Sequence, residues 1–144
     1  KLWIKMSTSG KSSVWRLIDE LSSQPLKEDT TKKYEFRINR LIQVKKSGIE
    51  DFINGQKESI AIDKEAGIKY DQRIYENVFG YDAPSYMMTT GSSDVYSYYS
   101  EWKKRKDKRQ NSPKFEELLN KYNNSIRKTE IRHLTFEKEL HYKP

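Results

Sequence analysis

The sequence predicts an all-α protein: two small, related helical units of helix-turn-helix type, joined by a short middle segment. Three observations predict it. Val14, Leu17, Ile18 and Leu21 fall at i, i+3, i+4 and i+7, and Val95, Tyr98, Tyr99 and Trp102 repeat that spacing, so each set forms a stripe along one side of a helix. Pro25, Glu28, Lys33 and Tyr34 match Pro113, Glu116, Lys121 and Tyr122 at the same separations, as a second turn of the same repeat. The 144-residue chain is 34% hydrophobic and 34% charged, a composition for a thin helical core rather than a deep-pocketed α/β enzyme.

Unit 1, residues 1–55, opens on "KMSTSGKSSVW". Its Gly10-Lys11-Ser12 ends as a phosphate-binding loop does, but that loop needs a glycine five residues before its Gly-Lys pair, where Lys5 stands. The stretch therefore reads as a lead-in and helix N-terminus, like "MMTTGSSD" before the second stripe. In both copies Ser or Asp precedes the stripe and caps the first turn. A further stripe at Tyr34, Ile38, Leu41 and Ile42 predicts a helix stopping before Gly48. "IEDFI" (Ile49–Ile53) is a short helix between Gly48 and Gly55.

The connecting segment, 56–83, holds "SIAID", which fits strand or helix equally, and "DQRIYENVFG", which reads as a helix capped by Asp71 and ended by Gly80. "YDAPS" is the turn before unit 2, residues 84–144. There Ser112 caps and Pro113 opens a helix burying Phe115, Leu118, Leu119 and Tyr122. The tail from Ile126 to Tyr142 reads as helix, with an ambiguous patch at "EIRHLTF". Val95, Tyr98, Tyr99 and Trp102 are expected in the core.

Several functions are disfavoured. With no cysteine there is no disulfide, thiolate nucleophile or cysteine-ligated zinc. His133 and His141 lack an acidic companion motif, so no metal site is expected. No apolar run reaches the roughly 20 residues that span a bilayer, and no signal peptide opens the chain, so a soluble intracellular protein is expected. "IRHLT" with Tyr142 has the outline of a tyrosine-recombinase Arg box, but Thr129 stands where its histidine belongs. No catalysis, cofactor or small-molecule substrate is expected.

Charge points elsewhere. The net +7 is uneven: 13 bases and 8 acids over 84–144, 11 and 7 over 1–55, but 4 and 6 over 56–83. "KKRKDKR" (Lys103–Arg109) carries six bases and one acid. Such a run releases counterions from a polyanion and suits a linker along a phosphate backbone, or alternatively a solvated loop or nuclear-localisation signal. The expected contacts are Lys103, Lys104, Arg105, Lys106, Lys108, Arg109, Lys114, Lys121, Arg127, Lys128 and Arg132 in unit 2. Lys11, Lys32, Lys33, Arg37 and Arg40 form a thinner face in unit 1.

One stretch supports that direction. Tyr86, a Ser/Thr-rich lead-in, Val95, Tyr99, Glu101-Trp102, a basic linker, Pro113, Glu116-Glu117-Leu118 and Tyr122 follow in order. Over residues 84–127 the chain resembles the DNA-binding domain of yeast activators of glycolytic genes. The resemblance implies a helical, sequence-specific binder of double-stranded DNA in a fungal nucleus. The expected function is thus non-catalytic duplex DNA binding within a transcription or chromatin factor, with other subunits of a nuclear complex as further partners. The alternative is a helical protein–protein module docking through exposed aromatics.

Overall fold

Phe36–Val44, expected as a helix, is instead the strand at the centre of the fold. The computed structural model describes residues 3–8, 11–23, 35–68, 70–82 and 84–135. Its strands are β1 (Trp3–Thr8), β2 (Lys11–Leu17), β3 (Phe36–Val44), β4 (Gln72–Phe79), β5 (Ser85–Ser92) and β6 (Ile126–Thr135). Three helices interrupt them: α1 (Ile49–Glu65), α2 (Val95–Gln110) and α3 (Phe115–Ser125). All six strands join one antiparallel sheet in the order β1-β2-β4-β5-β3-β6. The protein is a mixed α/β fold, and the all-α expectation is overturned.

From β3 onward the chain runs β-α-β-β-α-β, with α3 added before the last strand, and its four strands lie in the order β4-β5-β3-β6. That is the ferredoxin-like split arrangement. The hairpin β1–β2 extends the sheet at the outer side of β4. Residues of 1–55, 56–83 and 84–144 all contribute strands to it.

The misreading of β3 has a physical cause. A strand buried on both faces shows no alternation, so its apolar residues interleave into spacings that imitate a helix. Ile42 and Val44 pack with Ile74, Tyr86 and Met88 beneath Phe52 of α1, and Tyr122 of α3 packs against this cluster. Phe36 and Ile38 pack with Tyr98 of α2. Leu41 points to the opposite face, among Trp15, Tyr75 and Met87. Tyr81 lies over that second cluster, its ring 5.6 Å from Trp15 and its hydroxyl 3.4 Å from Arg132 Nη2.

The same effect corrects other elements. The stretch after Gly10 is β2, with Trp15 fully buried, so the two apolar stripes do not mark a structural repeat. "DQRIYENVFG" is β4, with Ile74 and Tyr75 buried on opposite faces. Gly80 closes it at φ +91°, and a Cβ there would sit 2.1 Å from the Ser12 carbonyl oxygen, so the glycine serves a turn. The tail over 126–135 is β6, while its residues 136–142 lie outside the described residues, as do Pro25, Glu28 and Tyr34.

The helices agree better with expectation. Asp94 caps α2, accepting from the Ser97 amide at 2.8 Å and from the Ser97 hydroxyl at 2.6 Å. Those bonds, the hydroxyl's first, hold its carboxyl down at about 2. But α2 continues to Gln110, so the basic "linker" is helix. Only Tyr98 of the expected core stripe is buried; Val95, Tyr99 and Trp102 are exposed. α1 runs past Gly55, where a Cβ would lie 3.1 Å from the Tyr122 ring, so the glycine admits α3 at close range.

Candidate functional site

Winding the basic run into a helix divides it. Lys103, Lys104, Lys106 and Lys108 face solvent. Arg105 and Arg109, four residues apart on the side that carries Tyr98, turn inward. Arg105 is 8% exposed, with its guanidinium 4.3 Å above the Tyr70 ring and its Nε without a hydrogen-bond partner. Burial lowers its pKa, although it remains a cation.

Arg109 meets Asp63 of α1, which is 2% exposed. The Arg109 Nε donates to Oδ1 at 2.6 Å and Nη2 donates to Oδ2, while the Tyr70 hydroxyl donates to Oδ2 at 2.5 Å. Burial pulls Arg109 toward its neutral form, but the hydrogen bond and charge of Asp63 outweigh it and raise the pKa. Tyr70 is pushed well above the usual phenol range, first by burial and then by the Asp63 charge. It is a fixed neutral donor.

On the sheet, Arg40 of β3 completes the group. Its Nη2 donates to the Tyr98 hydroxyl at 2.8 Å and its Nη1 lies 3.9 Å from the Met88 sulfur. Among the described residues no carboxylate is within ion-pair distance of it. Tyr98 carries the hydrogen bond of Arg40, while the Tyr70 ring lies against both Arg105 and Arg109. Among the described residues Asp63 is the one carboxylate ion-paired with any of these three guanidinium groups, and its partner is Arg109.

A cavity of about 130 Å³ lies against this group. Arg40, Arg109, Tyr70, Gln56 and Gln72 line one part, and Met88, Phe115, Leu118 and Leu119 another. Leu119 is 41% exposed, which places solvent access on the α3 side. Tyr122 also lines it: Gln56 Nε2 donates to its hydroxyl at 2.9 Å, leaving the phenol proton for another acceptor. Burial pushes that phenol up to about 12, against the lowering pull of Gln56 and Arg40. A larger groove of about 390 Å³ between α1 and α3 is lined by Asp51, Glu58, Glu117, Lys114 and Lys121, whose charges of both signs offset one another.

The remaining expected contacts scatter. Lys114 and Lys121 are exposed, the latter 2.8 Å from Glu117. Lys104 pairs with Glu101 at 2.9 Å. Arg127 and Lys128 are exposed on β6, with Arg127 donating to Gln43 at 2.9 Å; Arg132 pairs with Glu130 at 2.7 Å. Arg37 is exposed on β3, and Lys11 lies in β2 opposite Thr8. Lys32 and Lys33 lie outside the described residues. Of those whose side chains are described, only Arg40 and Arg109 line the cavity, with Arg105 behind it.

Sequence reasoning missed Asp63, Tyr70, Gln56 and Gln72 altogether. One signal was there: Tyr98, Trp102, Arg105 and Arg109 repeat at helical spacing, which carries two arginines onto the tyrosine's side. Among the described residues no cluster of three metal-ligating side chains occurs, and no helix is long and apolar enough to cross a membrane. Compared with protein-family models and with curated proteins, the chain matches none.

Proposed function

We propose that this protein binds a small organic monoanion, such as a short carboxylic acid with an apolar tail, in the cavity between the sheet and the helices. The carrying observation is the charge count: Arg40 and Arg109 line the cavity with Arg105 behind them, and among the described residues the one carboxylate ion-paired with any of the three is Asp63, on Arg109. Concentrated positive charge in a partly dry site favours an anion, and a planar guanidinium fork suits a carboxylate. Arg40, whose partners among the described residues are neutral, is the group that receives it. Tyr122 offers its proton beside it, and Met88, Phe115, Leu118 and Leu119 take the tail. A cavity near 130 Å³ compares with the roughly 150 Å³ void that holds benzene, so the ligand has about six to ten heavy atoms.

Calorimetric titration with benzoate and hexanoate, against benzyl alcohol and hexanol, tests the reading. The acids bind and the alcohols do not. Arg40→Gln weakens acid binding by about tenfold or more, since a hydrogen bond to a charged group contributes roughly 1.5–3 kcal/mol. Equal affinity for acid and alcohol, or no binding of either at millimolar concentration, refutes it.

A second reading, duplex DNA binding, draws on the four solvent-facing lysines of α2: Lys103, Lys104, Lys106 and Lys108. The helical architecture that the family resemblance implied is not the fold of this chain, and Arg105 and Arg109 are occupied inside it. What remains is phosphate contact, which predicts a log–log salt slope of about one unit per contact. Replacing the four lysines by alanine flattens that slope if the reading holds and leaves the titrations with acids unchanged.

A further inference from the structure

β6 stands last in the sheet order, and among the described residues no strand pairs with its outer side. Such an edge presents a row of backbone donors and acceptors to any extended chain. Proteins blunt these edges with proline, bulges, short strands or repelling charges. β6 has ten residues, "IRKTEIRHLT", with no proline or glycine.

Its side chains are self-complementary. If two copies of β6 run antiparallel with Ile131 on the two-fold axis, Ile131 faces Ile131. Glu130 then faces Arg132 of the second copy, and Arg132 faces Glu130, two opposite-charge pairs generated by one sequence. One step further, Thr129 faces His133 and Lys128 faces Leu134. No like charges meet anywhere in this register. The exposure pattern agrees. Ile131 is 56% and Leu134 43% exposed, one on each face of the strand, so each face offers an apolar side chain that the chain's own fold leaves uncovered. Tyr99, whose hydroxyl lies 3.3 Å from His133 Nε2, brings the exposed Val95, Tyr99 and Trp102 side of α2 next to the same edge.

We infer that β6 is a dimerisation strand, and that its partner is a second copy of this chain paired antiparallel about Ile131. The two six-stranded sheets become one continuous sheet. The Glu130 and Arg132 pairs flank the axis on one face, and the two Ile131 side chains meet on the other. The inference uses none of the cavity residues and stands independently of the ligand reading.

Sedimentation velocity across micromolar concentrations tests it with two charge reversals. The wild-type chain sediments as a dimer. Glu130→Arg and Arg132→Glu each place like charges opposite one another twice, and each weakens the dimer by about tenfold or more. Mixed in equal amounts, the two variants regain it. In the mixed pair both arginines of the first variant face the two glutamates of the second across the axis. Ile131→Asp, at an exposed position, gives monomer and keeps the wild-type circular dichroism spectrum. A monomeric wild type, single reversals that dimerise normally, or a mixture that stays monomeric would each overturn the inference. The mixture separates true pairing from misfolding, since an unfolded variant is not rescued by its complement.

Discussion

Neutralising Asp63 is the sharpest test of the charge arrangement inside this protein. Asp63→Asn keeps the shape of the side chain and removes its charge. In the wild type that carboxylate, 2% exposed, accepts twice from Arg109 and once from Tyr70. Its loss leaves Arg105 and Arg109, both against the Tyr70 ring, without a counter-charge. Removing one partner of a buried pair costs about 3–5 kcal/mol. A domain of this size holds roughly 5–15 kcal/mol in total, so the variant sits near the threshold of folding at room temperature. Urea denaturation followed by circular dichroism measures it, with the midpoint moving down and the slope unchanged. Because the pair is buried, added salt changes the difference little. The double variant Asp63→Leu, Arg109→Met recovers much of the loss, as apolar residues of similar volume often replace a buried ion pair without cost. A single variant within about 1 kcal/mol of the parent would show that water or another group neutralises these arginines, and the count of three cations to one anion would lose its meaning.

Other expectations follow from single features. Asp94→Asn keeps the α2 cap acceptor but cannot titrate. Because the folded carboxyl is held at about 2 against an ordinary 3.8, its contribution is full above about pH 4 and fades as pH falls toward 2. Stability curves of parent and variant therefore converge over that interval, and a constant gap down to about pH 2 refutes the assignment. Trp15→Ala removes a fully buried indole and lowers stability by about 3–5 kcal/mol in chemical denaturation. Trp102→Ala, at a 40% exposed site, lowers it by at most about 1 kcal/mol, reversing what its place in a helical stripe suggests. Gly80→Ala meets both a left-handed φ of +91° and the Ser12 carbonyl, so its melting temperature drops by several degrees, whereas Gly67→Ala, in open space at φ +64°, pays only the conformational cost.

The helices that begin at caps were legible because the cap is a local device. Asp94 announces α2 without reference to distant residues, whereas Ser112 and Pro113, expected to cap and open α3, lie in the turn before it, and Lys114 at its N-cap makes no side-chain cap hydrogen bond. The strands were not legible because their burial is set by what lies across the sheet. Ile38, Leu41 and Ile42 look helical in sequence, yet Ile38 and Ile42 are covered by helices and Leu41 by Trp15 and Tyr75 of other strands. The same limit governs the candidate site. Arg40 and Arg109 stood out as cations, but their meaning depends on partners far along the chain: Asp63 lies 46 residues from Arg109, and Tyr98 lies 58 from Arg40. Charge runs advertise a surface; only the fold turns two of this run's members inward.

α3 passes into β6 with no residue between Ser125 and Ile126. The joint is clamped: the Lys45 amide donates to the Ser125 carbonyl at 2.9 Å, Lys45 Nζ to the Asn124 carbonyl at 2.6 Å, and the Ser125 hydroxyl to the Tyr122 carbonyl at 2.6 Å. Gly48 seals it, since a Cβ there would sit 2.8 Å from Ser125 Cα. The opposite end of α3 is tied as well: the Ser112 amide donates to the Arg109 carbonyl at 3.0 Å and the Phe115 amide to the Ser112 carbonyl at 3.0 Å. Phe115, Leu118 and Leu119 therefore line the cavity from a helix anchored at both ends, and a substitution at either joint reaches the cavity wall without touching it.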